Sequence, residues 1–129
     1  ADPADAARKL ASVLPGPGGK AMTVAFMLDG QPFVALNGGP KFRFTEATSF
    51  VIDCANQKEI DFYWSKLTSG GGQESRCGWL KDRFGLSWQV VPKGLGKLLG
   101  SPEAMQAMLK MNKLDIAALK AAAPRRKAR

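Results

Sequence analysis

Residues 49–53 read Ser-Phe-Val-Ile-Asp, a short run of aromatic and β-branched residues that predicts a strand. Asn56 and Glu59 follow with the spacing of a helix-capping pair. The helix that they begin carries apolar residues at positions i, i+3, i+4 and i+7, which are Ile60, Tyr63, Trp64 and Leu67. The stretch therefore predicts a strand followed directly by an amphipathic helix with one buried face.

Further strands are predicted after this helix. Ser69–Gly72 ends the helix, and strands are expected at Glu74–Leu80 and Leu86–Val91, with a turn at Lys81–Gly85 between them. Residues 48–91 therefore form one strand–helix–hairpin unit.

The N-terminal part predicts a helix and a hairpin. Residues 4–14 resemble a short helix that Pro15 stops. Met22–Leu28 and Pro32–Leu36 read as strands, and Asp29-Gly30 is a turn signal between them. The residues that follow, Lys41–Ala47, read as a loop.

The pattern beyond Pro92 is helical, and we assign residues 93–123 to a helical tail. Pro102 lies at the first position of one helix, and Asp115 opens the last. The methionines are interpreted as residues that fill gaps in the core. The apolar residues expected to pack are Met105, Met108, Leu109, Ile116 and Leu119. We predict a single α+β domain covering residues 1–129.

The net charge of +8 over 129 residues is uneven, and the chain contains no histidine. Residues 124–129 carry four positive charges and no negative one, which leaves +4 for residues 1–123. A solvated terminal tail is the preferred interpretation, and a nucleic-acid contact is the weaker one. The missing histidine excludes imidazole metal sites and Ser-His or Cys-His catalytic couples.

The compartment is predicted from apolar runs and the N-terminal pattern, and the cysteine chemistry from the number of cysteines and their neighbours. No apolar run is long enough to cross a bilayer, and Ala1–Leu14 lacks the layout of a signal peptide, so we predict a cytoplasmic protein and no membrane partner. The two cysteines, Cys54 and Cys77, are too few for a disulfide framework. Arg76 beside Cys77 favours a nucleophilic thiol, but a half-buried strand thiol is the preferred interpretation.

Several strings in this order resemble one family. They include Met22-Thr-Val-Ala-Phe-Met-Leu-Asp-Gly-Gln31, Ser49-Phe-Val-Ile-Asp-Cys54, Cys77-Gly-Trp-Leu-Lys-Asp82 and Gly85-Leu-Ser-Trp-Gln-Val-Val-Pro92. The chain resembles, over roughly residues 18–121, the PhnB-like branch of the vicinal oxygen chelate superfamily, which includes glyoxalases, bleomycin-resistance proteins and dioxygenases. Proteins of this branch are often labelled 3-demethylubiquinone-9 3-methyltransferase.

The resemblance implies a fold of paired βαβββ modules whose curved antiparallel sheets enclose a small-molecule cavity. Residues 48–91 match the second module, and residues 22–37 match only the last hairpin of the first. The strand and helix that should open the first module are not found in Ala1–Ala21. A truncated chain, an absent segment and a partner that supplies the strand are all open. Since single-domain members dimerise, a homodimer is expected.

The resemblance also points to metal-ligand positions. Gln89 stands where metal-dependent relatives carry a glutamate, and Ser49 lies where a histidine ligand often sits. A neutral amide and a hydroxyl make a poor site for a divalent cation. We therefore predict no bound metal and no cofactor.

The candidate ligand-binding residues are Gln89, Trp79, Cys77 and Asn37. Strand alternation places Gln89 on the face opposite Trp88, and it places Trp79 and Cys77 on one face. Each has a structural alternative. Gln89 would satisfy a backbone group, Trp79 and Cys77 would be sheet core, and Asn37 would cap its turn.

Three functions stay open at this level. The preferred hypothesis is a small-molecule-binding or enzymatic protein of this superfamily, with an unidentified substrate and no histidine-based metal site. One alternative is the methyltransferase of the family label, although the chain lacks the strand, glycine-rich loop and helix of a typical S-adenosylmethionine enzyme. The other is a non-catalytic dimer that sequesters a drug or metabolite.

Overall fold

The chain folds into two compact units that divide between Arg43 and Phe44. The computed structural model describes residues 10–125. Each unit is built around its own β-sheet, one of three strands and one of four. The first unit also contains a short 3₁₀ helix at Pro17–Gly19, and the α-helices of the described residues belong to the second unit. The predicted α+β class is confirmed, whereas the assignment of one domain to the whole chain stays a prediction.

The first unit is an antiparallel sheet in the order β1-β2-β3, with strands Leu10–Pro15, Ala21–Leu28 and Gln31–Leu36. Asp29 and Gly30 join β2 to β3 with φ of +48° and +76°. Both angles lie in the left-handed region, which a two-residue hairpin turn requires and which Asp-Gly tolerates. The predicted hairpin is confirmed.

The helix predicted over residues 4–14 is wrong for its described part. Residues 10–14 lie in β1, where Val13 pairs with Val24 of β2; residues 4–9 lie outside the described residues. Alanine and leucine favour a helix locally, but pairing with the edge of β2 overrides that weak preference. A third strand thus accompanies the hairpin of residues 22–37, in a stretch where the sequence predicts none.

The second unit begins with a βαβββ arrangement. Its elements are β4 (Ser49–Cys54), α1 (Gln57–Thr68), β5 (Gln73–Glu74), β6 (Trp79–Lys81) and β7 (Ser87–Pro92). The sheet order is β4-β7-β6-β5, with β4 and β7 parallel and the other pairs antiparallel. The resemblance implies this βαβββ order for residues 48–91, whereas the residue pattern predicts one strand in place of β5 and β6.

Helix α1 begins and packs as the sequence predicts. The Asn56 side chain accepts a hydrogen bond from the Glu59 N–H at 3.0 Å, and the Glu59 carboxylate accepts one from the Ala55 N–H at 2.8 Å. Ile60 and Trp64 are buried against the sheet. The same core cluster contains Cys54, Leu80 and Val90, and Tyr63 and Leu67 pack beside it.

The single strand predicted over Glu74–Leu80 is wrong. Residues 75–78 leave the sheet between β5 and β6, and Cys77 and Gly78 have φ of +59° and +81°. The Cys77 and Gly78 N–H groups donate to the carbonyls of Met111 and Asn112, both at 2.8 Å. The carbonyls of Met111 and Asn112 therefore accept hydrogen bonds that these two N–H groups would donate to a neighbouring strand if the strand were continuous.

Three helices follow the sheet: α2 (Leu95–Leu98), α3 (Pro102–Leu109) and α4 (Ile116–Ala122). The Ser101 and Asp115 side chains cap α3 and α4, and Pro102 and Asp115 lie at the helix starts where they are predicted. Gln57 of α1 holds the start of α4, because its Nε2 donates to the Leu114 carbonyl and its Oε1 accepts from the Ile116 N–H, both at 2.9 Å. We call this pair of bonds the Gln57 clasp.

The apolar face predicted for α3 is partly wrong. Ala104 is the fully buried residue of this helix, whereas Met105 and Leu109 are exposed. A small side chain lets α3 approach its neighbours closely, which turns Met105 and Leu109 outward. The interpretation of methionine as core filling is therefore wrong for Met105, and also for the exposed Met22 of β2. Leu119 of α4 is buried as expected.

Candidate functional site

The four-stranded sheet has one face covered by α1 and one that we call the open face. Residues paired across strands point to the same side. Phe50, Trp88 and Leu80 share the helix-covered face. The open face carries the alternate residues, which include Ser49, Val51, Trp79, Lys81, Ser87 and Gln89.

Gln89 and Ser49 are joined directly on the open face. Gln89 Nε2 donates a hydrogen bond to Ser49 Oγ at 3.0 Å. The two residues lie on the adjacent parallel strands β7 and β4, and both side chains are half-buried. The positions that the resemblance marks as metal ligands thus form a neutral amide–hydroxyl pair.

Trp79 and Gln89 are brought together by strand pairing. They are register partners of β6 and β7, so their side chains lie on the same face. Trp88 lies on the opposite face, where its Nε1 donates to Asp82 Oδ2 at 2.9 Å and its ring meets Phe50 edge-on. The prediction that Trp88 and Gln89 face opposite sides is confirmed.

Cys77 does not share the strand face of Trp79, and this prediction is wrong. It sits in the turn between β5 and β6, where its Sγ lies 3.7 Å from the Met108 carbonyl. The neighbouring Arg76 guanidinium donates to the Lys110 carbonyl at 3.1 Å. The positive φ at Cys77 ends the alternation on which the prediction depended.

Asn37 belongs to the first unit, where its side chain closes the hairpin. Its Nδ2 donates to the Ala21 carbonyl at 2.6 Å, and its N–H donates to the Met22 carbonyl at 2.9 Å. These bonds support the turn-capping alternative. A ligand role for Asn37 stays a prediction.

A pocket of about 160 Å³ opens beside Trp79, within the second unit. Lys81, Ser87 and Glu46 contribute to its wall, and the Lys81 ammonium pairs with the Glu46 carboxylate. The hydrogen bond and the positive charge of Lys81 lower the pKa of Glu46 below its ordinary value. Ser87 is only 1% exposed, and its hydroxyl has no hydrogen-bond partner.

Sequence reasoning missed the pocket residues to different degrees. Alternation from Gln89 places Ser87 on the same face, so its direction was predictable. Glu46 lies in the loop before β4, and nothing in its sequence context indicates a partner on β6. An ion pair between a loop residue and a residue remote in sequence, such as Glu46 with Lys81, cannot be predicted from the neighbouring residues.

A second, more basic groove of about 250 Å³ lies near the C-terminal end of α1. Lys66 and Arg83 border it, and the Arg83 guanidinium lies 4.8 Å from the centre of the Phe84 ring. The Asp82 carboxylate beside them already accepts hydrogen bonds from the Phe84 and Leu86 N–H groups and from Trp88 Nε1. These three hydrogen bonds to the Asp82 carboxylate stabilise the turn between β6 and β7.

Metal-ligating side chains do not cluster in the described part of the chain. Within residues 10–125, no three His, Cys, Asp or Glu side chains are placed to hold a metal ion. Over the same range, no helix is both long and apolar enough to cross a bilayer. The predictions of no metal and of a cytoplasmic location stay predictions.

The two thiols are expected to differ in reactivity. Burial, with smaller contributions from the charges of Glu59 and Asp53, raises the pKa of Cys54 to about 11, so this thiol stays protonated at neutral pH. Cys77 is half-buried. Iodoacetamide at pH 7.5 should modify Cys77 in the native protein and Cys54 only after denaturation, as mass spectrometry of tryptic peptides would show. Alkylation of Cys54 before Cys77 would contradict this.

Comparison with known proteins identifies the family. A sequence model of the 3-demethylubiquinone-9 3-methyltransferase family matches residues 4–91. The chain belongs to this family. The match includes β1 to β6 and β7 as far as Val91, and thus covers both sheets.

Solved structures agree with this assignment. A PhnB protein from Bacillus cereus, described under the same methyltransferase name, is 26% identical, with a TM-score of 0.60 over 65% of this chain and 78% of its own. The protein PA1353 from Pseudomonas aeruginosa is 19% identical, with a TM-score of 0.50 over 64% of this chain and 71% of its own, and shows the fold alone. Comparison with curated proteins gives no match. The chain is a PhnB-like protein with the glyoxalase-like fold, as predicted.

Proposed function

We propose that this PhnB-like protein binds a small organic molecule on the open face of its four-stranded sheet, as a binding or enzymatic member of the vicinal oxygen chelate superfamily. The observation that carries the proposal is the hydrogen bond of 3.0 Å between Gln89 Nε2 and Ser49 Oγ. These residues occupy the two positions where the resemblance places metal ligands. The ligand is held by hydrogen bonds and apolar contact, without a histidine-bound metal.

The chemistry of the pair supports this choice. An amide and a hydroxyl provide donors and acceptors without net charge, and hard divalent cations prefer carboxylates. Zinc sites are built from thiolates, imidazoles and carboxylates, none of which Gln89 or Ser49 supplies. A neutral polar group of an organic ligand is therefore the better complement to this pair.

Apolar surface beside the pair favours sequestration as the second candidate function. Val51, the register partner of Gln89 on β4, is 55% exposed on the open face, and Trp79 lies across from Gln89 on β6. An aromatic or apolar compound would cover both side chains and lower the area that water contacts. A protein that only holds such a compound needs no catalytic group, and a dimer would enclose it further.

The methyltransferase activity of the family name is the third candidate. It rests on the name of the matched family and of the Bacillus cereus relative. The connection from β4 to α1 consists of Ala55 and Asn56, and Asn56 is committed to capping α1. A glycine-rich loop at such a strand–helix junction is what brings a cofactor close to the backbone, so we rank this activity below small-molecule binding.

A thermal-shift screen tests the proposal against three classes of compound: divalent metals, quinones and aromatic antibiotics. A compound present at 100 times its Kd stabilises the folded state by about 2.7 kcal/mol, which raises Tm by several degrees in a chain of this size. We expect a shift with at least one organic class. We also expect no sub-micromolar binding of Zn²⁺, Mn²⁺ or Ni²⁺ by isothermal titration.

Variants locate the bound compound. Gln89→Ala should reduce the ligand-induced shift, while Gln106→Ala on the exposed side of α3 should leave it unchanged. Recovery of the compound chemically unaltered after incubation supports sequestration, and a changed mass supports catalysis. A flat response to both organic classes, or tight metal binding lost in Gln89→Ala, would overturn the proposal.

A further inference from the structure

The strongest unassigned feature of the second unit is the hydroxyl of Ser87. Ser87 is 1% exposed, and its Oγ is the one buried side-chain N or O atom in the described residues that lacks a hydrogen-bond partner. A buried hydroxyl without a partner destabilises the folded state, so a ligand atom that pairs with Ser87 Oγ would remove this cost.

The pocket beside this hydroxyl has the size of one ring. Its volume is about 160 Å³, comparable with cavities of ~150 Å³ in protein cores that admit a benzene molecule. The indole of Trp79 provides an aromatic wall. An aromatic ring placed against an aromatic side chain gains contact area together with favourable ring geometry.

The charges around the pocket disfavour an anionic ligand. Lys81 and Glu46 pair with each other, so they contribute no net charge at the rim. Glu74 also lines the pocket, and its carboxylate, which accepts a hydrogen bond from the neutral Trp64 Nε1 at 2.6 Å, adds a negative charge that repels an anionic ring. An anionic ring would have to compete with Glu46 for Lys81, whereas a neutral ring leaves the ion pair intact.

We propose that the Ser87 pocket binds a neutral monocyclic aromatic group with one hydroxyl or carbonyl oxygen, which pairs with Ser87 Oγ while the ring lies against Trp79. This rests on the proposed function, because both use the same sheet, and it names the class of compound. A wholly apolar ring would leave the hydroxyl unpaired, so the oxygen is the feature that the pocket selects.

Phenol, benzene and benzoate are the probes, and their affinities are measured by ligand-observed NMR on the full chain. Phenol should bind more tightly than benzene and benzoate. Ser87→Ala should weaken phenol binding by about 3- to 10-fold, the loss of one neutral hydrogen bond, and leave benzene binding unchanged. Trp79→Leu should weaken phenol and benzene alike. Ser65→Ala, an exposed serine on α1, is the matched control and should change neither.

Stability gives an independent readout, because a buried hydroxyl without a partner lowers the stability of the free protein. Ser87→Ala should therefore keep or raise Tm in the absence of ligand. A phenol affinity that Ser87→Ala leaves unchanged overturns the proposal, and a lower Tm with unchanged affinity identifies the hydroxyl as a structural group. If Ser87→Ala does not fold, Ser87→Cys, whose thiol is a weaker donor, replaces it in the same comparison.

The outcome also separates this proposal from the broader one. One outcome rejects the Ser87 pocket but supports the proposed function. In it, Gln89→Ala weakens the binding of quinones or antibiotics, and Ser87→Ala leaves the binding of phenol unchanged. Absence of binding by all organic probes rejects both.

Discussion

Replacement of Gly78 with alanine should lower the free energy of unfolding by about 2–5 kcal/mol, through left-handed backbone strain and overpacking. Gly78 has φ of +81°, and a Cβ at this position would lie 2.8 Å from the Val90 carbonyl oxygen and 3.2 Å from the Leu114 side chain. The Val90 oxygen is backbone within the sheet and Leu114 is fully buried. Neither can move away without disturbing the core.

A second glycine, Gly85, separates the effect of backbone strain from that of overpacking. Gly85 has nearly the same φ, +84°, but nothing lies within 4 Å of a Cβ built on it. Gly85→Ala should cost only the backbone strain, about 1–2 kcal/mol. Urea denaturation of both variants, with unchanged m-values, measures the difference. Equal losses in the two variants would show that close packing at Gly78 does not contribute.

Replacement of Trp64 with alanine should cost about 3–5 kcal/mol, the range for removing a large buried aromatic side chain. Trp64 is 4% exposed in the core between α1 and the sheet. Its Nε1 also donates to Glu74 Oε1 at 2.6 Å, which ties the helix to β5. Trp64→Phe keeps most of the packing and should cost about 1–3 kcal/mol, mainly through the lost bond to a charged acceptor.

The control for Trp64 lies on the same helix. Phe62 is 46% exposed and removes less apolar surface from water, so Phe62→Ala should cost less than about 1 kcal/mol. Thermal and urea unfolding give the three values. A cost for Phe62→Ala equal to that of Trp64→Ala would contradict the position of the core on the Trp64 side of the helix.

The second unit was the more predictable part of the fold because its signals are local. The strand at residues 49–53, the cap at Asn56 and the apolar stripe of α1 each depend on neighbours within a few residues, and the structure confirms all three. The strand β1 was missed because its conformation depends on pairing with β2. Local preference at residues 10–14 is too weak to resist that pairing.

The turn at residues 75–78 shows more clearly where prediction from local sequence patterns fails. Its bend depends on the carbonyls of Met111 and Asn112, more than thirty residues further along the chain. No pattern near Cys77 reports such a partner, so the predicted strand continued through the turn. The exposure of Met105 follows the same rule, because Ala104 decides which side of α3 packs.

The candidate site was likewise predictable only in part from the sequence. Alternation along β7 was enough to place Gln89 opposite Trp88, and the resemblance was enough to single out Ser49 and Gln89 together. Their hydrogen bond, and the ion pair of Lys81 with Glu46, depend on distances between segments that are remote in sequence. Such distances follow from the assembled sheet and its loop, which a linear pattern does not describe.

The Gln57 clasp has a consequence for the order in which the protein is made. Synthesis runs from the N-terminus, and the partners of Gln57 and Gly78 lie between residues 112 and 116. A nascent chain that has reached only β7 contains every strand of the four-stranded sheet, but the N–H groups of Cys77 and Gly78 still lack their acceptors. We infer that the second unit is completed only after residues 111–116 have been synthesised and have left the ribosome.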